Sequence, residues 1–309
     1  MIRRRLLQAI PVIILATFIV FGLLKLVPGD IAVTLAGDNA TDARIAEIRT
    51  MYGLDQPFLV QYGGWLMKAV QGDLSKSLLS GEAVLTSIAR CLPNTMLIVV
   101  LALMLAMAIG IPLGILAASR PGGWVDGFVM SVASLGVAIP NFWLAMLLVA
   151  WLSLSMGWLP ATGSVPFTEN PWESLRHAIL PAVALASGGI AEVARQLRSS
   201  LVEVLSSQQV RTLHAKGVGP ASILWKHGLK NVSVNLLTVI SLLANRILAA
   251  TVVVEAVFAI PGMGSLIVHA AVQRDFPVVQ GVVFVMVLIV VSINLLTDVL
   301  YSVLDPRIS

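Results

Sequence analysis

Cysteine occurs once in these 309 residues, as Cys91, so no intrachain disulfide framework exists. No Cys/His cluster has zinc-ligand spacing either, and a lone thiol of this kind is most simply a small packing residue. Charge is scarce: Asp, Glu, Lys and Arg make up 12% of the chain, about half the share of an ordinary soluble domain. The sequence lacks G-x-x-x-x-G-K-S/T, which excludes the phosphate cradle of a P-loop ATPase. It also lacks H-E-x-x-H and any Ser/His or paired-Asp constellation inside an apolar run, so an intramembrane enzyme has no catalytic set. No repeat of fixed period occurs, nor an inverted pair of broken spans of the kind seen in many secondary transporters. The net charge is +4, but the basic residues are scattered and no stacking-rich motif accompanies them, so nucleic acid is not a partner.

What is abundant is apolar sequence: 58% of residues are hydrophobic. Runs long enough to cross a hydrocarbon core of about 30 Å lie at 9–27, 94–117, 128–155, 178–198, 233–257 and 278–303. The expected fold is therefore all-α, with six transmembrane helices. Pro140 should kink the third span, and Pro181, Gly188, Gly189 and Glu192 should interrupt the fourth. Arg3, Arg4 and Arg5 precede the first run, which is too long for a signal-peptide core and is followed by no A-x-A site, so it reads as an uncleaved anchor.

With those arginines held in the cytoplasm, six spans place both termini inside and the 200–232 segment with them. Arg195, Arg198, Arg211, Lys216, Lys226 and Lys230 crowd that side, as the positive-inside rule requires. The 28–93 segment lies outside on this reading. Thr41 should cap a helix from Asp42 towards Tyr52 with Gly53 as its stop, and Pro57 to Val70 reads as an interfacial helix in a small cap over the pore. The expected division is 1–93 (first helix plus external segment), 94–304 (membrane core with a cytoplasmic loop at 199–232) and a 305–309 tail.

The loop from Arg198 to Val232 reads as two short helices. The first ends at Gly217, and the second begins with Pro220, whose missing N–H costs nothing at the first helical position. Ile223, Leu224 and Leu229 provide the second with apolar positions for a protein partner.

Here the sequence resembles the first permease subunit of the dipeptide, oligopeptide and nickel ABC importers. The loop is similar to that family's coupling motif at Val210, Arg211, Thr212, Ala215, Lys216 and Gly217, followed by Lys226-His227 and Lys230-Asn231. Further matches run in order along the chain: LVPGD at 26–30, GLDQP at 53–57, VQY at 60–62, GDL at 72–74, IPLG at 111–114, PNFW at 140–143, GWLPATG at 157–163, LP at 180–181, VVVEAVF at 252–258, PGMG at 261–264, RDFPVVQG at 274–281 and DPRI at 305–308. Leu213 and His214 depart from the family's usual Ala and Arg. The resemblance implies a type I ABC importer permease in the bacterial inner membrane. Its partners would be a second homologous permease, two ATP-binding subunits, a periplasmic substrate-binding protein and lipid. It implies no cofactor in this chain, ATP and Mg being held by the ATPase partners, and a coupling surface at Arg211, Thr212, His214, Ala215, Lys216 and Gly217.

Polar residues at membrane depth are functional candidates by default. Arg246 stands mid-span, and Asn141, Asn245, Arg246 and Glu255 are assigned to the translocation path. The alternative for Arg246 is a structural ion pair with Glu255 or Glu192; Glu255 is nine residues beyond it and off its helix face, so an ionic partner must come from another span, the second permease or the substrate. Glu192 and Arg195, three apart, are placed to pair locally. His177 and His269 lack a surrounding metal-ligand set. A secondary transporter or channel would need an ion relay within one chain, and the acidic residues are too few and too near the span ends. Peptides, free nickel and metal chelates all remain open as substrates.

Overall fold

The computed structural model describes residues 2–26, 31–36, 41–51 and 53–304. Tyr52, the DPRI tail and all but Leu26 of the LVPGD motif lie outside the described residues, as do the side chains of Arg3 and Arg4. The helices are α1 (Ile2–Leu26), α2 (Ile31–Ala36), α3 (Asp42–Met51), α4 (Phe58–Val70), α5 (Val84–Ser119), α6 (Trp124–Ala138), α7 (Asn141–Leu148), α8 (Pro171–Leu205), α9 (Gln208–Ala215), α10 (Pro220–Ser222), α11 (Leu229–Val257), α12 (Met263–Val272) and α13 (Phe276–Leu304). Leu7–Leu26 of α1, α5, α8, the joined stretch Pro220–Val257 and α13 are each long and apolar enough to cross a membrane. The bent pair α6 and α7 makes a sixth span when counted as one. Six of the seven tryptophans are exposed, Trp124 and Trp172 among the most, as suits a surface that meets lipid and its interfaces.

The chain divides into two compact units, Met1–Pro93 with Gly262–Ser292, and Asn94–Pro261 with Ile293–Ser309. In the first, α4 does not form a separate cap. It packs antiparallel along α1: Lys25 Nζ donates to Gln61 Oε1 at 2.7 Å near one end, and Tyr62 Oη donates to the Ile14 carbonyl at 3.0 Å further along. Phe18 and Phe21 meet Phe58 and Tyr62 edge-on, and Trp65 meets Phe284 likewise at 6.0 Å. Such aromatic pairs add to the area they bury, which is why PFLVQYGGWLMKAV folds inward. Thr41 Oγ1 accepts from Arg44 N at 3.4 Å, and Gly53, at φ +62°, follows α3 where the sequence places its stop.

A small hairpin precedes α5. Its Ser77 hydroxyl donates to Asp275, and Leu78 N donates to the other carboxylate oxygen at 3.1 Å. The Ser87 hydroxyl, then the Arg90 guanidinium, hold the Glu82 carboxyl below the usual carboxylate range.

In the second unit α8 is central and the most buried of the candidate spans. The expected interruption of this span does not occur: α8 runs unbroken through Pro181, Gly188 and Gly189. Gly189 serves contact: a Cβ there would lie 3.0 Å from Leu243 and 3.1 Å from Ala106, so the absence of a side chain lets α5 and α11 approach α8. The third span, by contrast, breaks far more sharply than a kink, with α6 and α7 meeting at 95°. Pro140 has no N–H and pushes Ile139 into extended backbone (φ −80°, ψ 121°), ending α6 there.

Candidate functional site

Around that break lies a cavity of about 310 Å³ between α6, α7, α8 and α11. Its polar lining is Asn141, Glu192, Arg195 and Arg246, set among Gly136, Gly188 and apolar residues. Arg246 of α11 forms an ion pair with Glu192 of α8. The ionic partner of Arg246 thus does come from another span, and the local Glu192–Arg195 pair is replaced by this interhelical one. Arg246 nevertheless stays 58% exposed and Glu192 25%. Arg195 lines the same cavity, is exposed, and makes no salt bridge among the described residues. Two guanidinium groups therefore face one carboxylate, a local balance of +1.

The four residues assigned to a path from the sequence do not gather in one place. Asn141 and Arg246 share the cavity. Asn245 turns aside and donates from Nδ2 to Asn294 Oδ1 at 3.1 Å. Glu255 is fully buried outside the cavity lining and accepts from Thr95 Oγ1 at 2.6 Å. It lies beside a tied turn in which Ile260 N donates to the Glu255 carbonyl (2.9 Å) and Asn94 Nδ2 to the Pro261 carbonyl (2.8 Å).

The predicted loop surface is a second candidate. Ser207 Oγ caps α9 by accepting from Val210 N at 3.4 Å, and Val210 itself is buried. Arg211, Thr212, His214, Ala215, Lys216 and Gly217 are all exposed. Gly217 takes φ +77° with its N–H donated to the His214 carbonyl at 2.9 Å, a left-handed turn that favours glycine. The second short helix is not separate. Pro220 starts a helical stretch that continues through π-helical turns at Ile223–Gly228 into α11.

Nor do Ile223, Leu224 and Leu229 face a partner: Ile223 is buried, and the two leucines pack against Ala118, Leu197, Leu201 and Val232. The face left outward carries Trp225, 63% exposed, beside Lys226. Sequence reasoning missed Trp225, although its place opposite the apolar residues of the same turn was the available signal.

A third feature was also missed. Arg198 of α8 donates from Nε to Asp126 Oδ1 at 3.0 Å and from its terminal nitrogen to Oδ2 at 2.5 Å, while Gly122 N donates to Oδ2 at 2.9 Å. This bidentate contact fastens the α5–α6 turn to the end of α8 that leads into α9. A lone acid at the head of an apolar run was its only trace in the sequence.

The family profile for the binding-protein-dependent transport system inner membrane component matches residues 110–309, and the profile for the N-terminal part of such membrane components matches 1–102. A protein of Brucella abortus (strain 2308), provisionally described as a peptide transport system permease, is 42% identical over 308 residues, covering 100% of this chain and 98% of that one. The dipeptide transport system permease of Alkalihalophilus pseudofirmus is 37% identical, covering 99% of this chain and 98% of its own length. The oligopeptide transport system permease of Bacillus subtilis gives the same 37% and the same coverage. The fold is similar to a chain of the MetNI methionine ABC transporter in an inward-facing conformation, with TM-score 0.59 and 18% identity over 72% of this chain and 97% of that one.

Proposed function

Because this chain belongs to the family of inner membrane components of binding-protein-dependent transport systems, we propose that it is one of two homologous permease subunits of an ATP-driven importer of peptides or chelated metal. The end-to-end match to peptide permeases supports this reading most directly, since coverage of 98% of their length leaves no domain of theirs without a counterpart. ATP is hydrolysed by two partner subunits, and a periplasmic binding protein delivers the substrate. Both termini and the loop around α9 face the cytoplasm.

In this arrangement α9 and the Gly217 turn form the surface pressed by the ATPases. Trp225 serves as an apolar anchor at its edge, of the kind that dominates protein interfaces. The rigid tie from Asp126 to Arg198 carries the push to α8, and α8 carries it to the cavity at Arg246. The permease alternates between outward-open and inward-open states as the ATPases close and separate.

The test is uptake of a labelled tripeptide by proteoliposomes holding the complete importer, with its binding protein outside and ATP enclosed. ATP-dependent accumulation is expected, lost when this subunit is omitted. Accumulation of neither peptides nor metal chelates would overturn the assignment.

A further inference from the structure

We propose that the cavity at the α6–α7 break is a binding site for the carboxylate end of the imported molecule, gripped by Arg246 and Arg195, with Glu192 occupying Arg246 until the ligand arrives. This inference rests on the peptide-import reading and adds the chemical group that the membrane portion recognises.

Three observations carry it. The first is charge: Arg195 and Arg246 outnumber Glu192 in one cavity, so the site holds an uncompensated cation. In a cavity lined otherwise by Asn141, glycine and apolar residues, such an excess of positive charge favours an anion over a cation. The second is accessibility. Arg246 is more than half exposed although ion-paired, so its guanidinium has donors left for a second acceptor. The third is size. A cavity of about 310 Å³ lies at the lower end of the roughly 300–1,000 Å³ typical of small-molecule sites, enough for the end of a short peptide. The Asn141 amide supplies a neutral polar group in the same lining.

Glu192 is chemically the same group as the proposed ligand. It is an internal competitor: when a substrate carboxylate takes its place on Arg246 in bidentate fashion, Glu192 is released from α11, and the tie between α8 and α11 is exchanged for contacts to the substrate. A bare divalent cation would meet net repulsion at the same place. The site thus favours a free peptide C-terminus or the carboxylates of a metal chelate over the naked metal.

The experiment uses the assembled importer in membrane vesicles, with Cys91→Ser and a reporter cysteine at Ala250→Cys, a small change on the cavity wall. Its modification rates by an anionic and a cationic methanethiosulfonate of similar size are compared. The anionic reagent should be preferred, and Arg246→Gln should reduce the preference roughly tenfold. Glu192→Gln should raise it, because Arg246 is freed. Millimolar trialanine should protect the cysteine, whereas trialanine amide should not.

Absence of an anionic preference, or one unchanged in Arg246→Gln, overturns the proposal. So does equal protection by the acid and the amide, protection by neither, or protection by chloride alone, which marks a generic anion site. If Arg246→Gln fails to assemble, the Glu192→Gln arm decides: assembly with a raised preference supports the proposal, and failure to assemble identifies a purely structural ion pair. Failure of the peptide-import reading is separate, since it appears as vesicles that take up no peptide while the anionic preference persists.

Discussion

Gly110→Ala should destabilise the protein, although in a helix the exchange is normally favourable. On α5, Ala106, Gly110 and Gly114 recur every fourth residue and form one stripe against α8. A Cβ on Gly110 would lie 2.9 Å from the Ile190 carbonyl oxygen and 2.9 Å from Val193 Cβ. Neither atom moves with a side-chain rotation, so the two helices must separate. Alanine gains about 1 kcal/mol in helix propensity, while overpacking costs about 1–3 kcal/mol. The clash involves backbone, which places its cost at the upper end, and the expected net loss is about 1–2 kcal/mol. Gly127→Ala in α6 is the control, since nothing lies within 4 Å of its would-be Cβ, and it should be neutral or slightly stabilising. Thermal unfolding of the detergent-solubilised complex should place the Gly110 variant a few degrees below wild type and the Gly127 variant at or slightly above it. A Gly110→Ala midpoint equal to or above that of wild type would refute the close-packed α5–α8 seam.

Gly217→Val should leave insertion intact, because only open space surrounds the residue, yet strain at φ +77° will re-aim the α9 surface. Substrate-stimulated ATP hydrolysis should fall several-fold, and wild-type turnover would sink this assignment. Cysteines replacing Lys76 and Lys226, in a Cys91→Ser background, should label from opposite sides of the membrane, because α5, the bent pair and α8 lie between them. Labelling from the same side would mean that the α6–α7 pair turns back without crossing. Asp126→Asn keeps the shape but removes the charge under Arg198, leaving a partly exposed guanidinium unpaired at a cost below the about 3–5 kcal/mol of a fully buried pair. Assembly should therefore drop and be partly restored by Arg198→Gln, whereas assembly equal to wild type in the single variant would show that the clamp is idle.

The membrane class, the apolar runs long enough to span a bilayer and the location of the exposed loop were legible in the sequence because they depend on local properties. A run of about 20 apolar residues spans a bilayer whatever its neighbours are. A glycine after α9 and a proline in the first position of α10 punctuate the chain by their own backbone limits, so the turn at Gly217 and the helix start at Pro220 fall where the sequence puts them. The order of short motifs likewise carried the family resemblance without any geometry.

What depends on which helix lies beside which was decided only by tertiary structure. Gly188 and Gly189 read as breaks, but α8 runs through both, and Gly189 faces close neighbours on α5 and α11 in a contact that propensity cannot see. Ile223, Leu224 and Leu229 read as a partner surface, yet their face was claimed by Leu197 and Leu201 of the same chain, leaving Trp225 outside. The segment at Phe58–Val70 read as a separate cap because its aromatic partners, Phe18 and Phe21, are some forty residues away. Above all, Asp126 and Arg198 each stood alone in the sequence, and Glu192 was a candidate both for its neighbour Arg195 and for Arg246 on another span. The pairs that form require helices brought together by apolar packing, because a long-range ion pair leaves no periodicity that selects one partner over another.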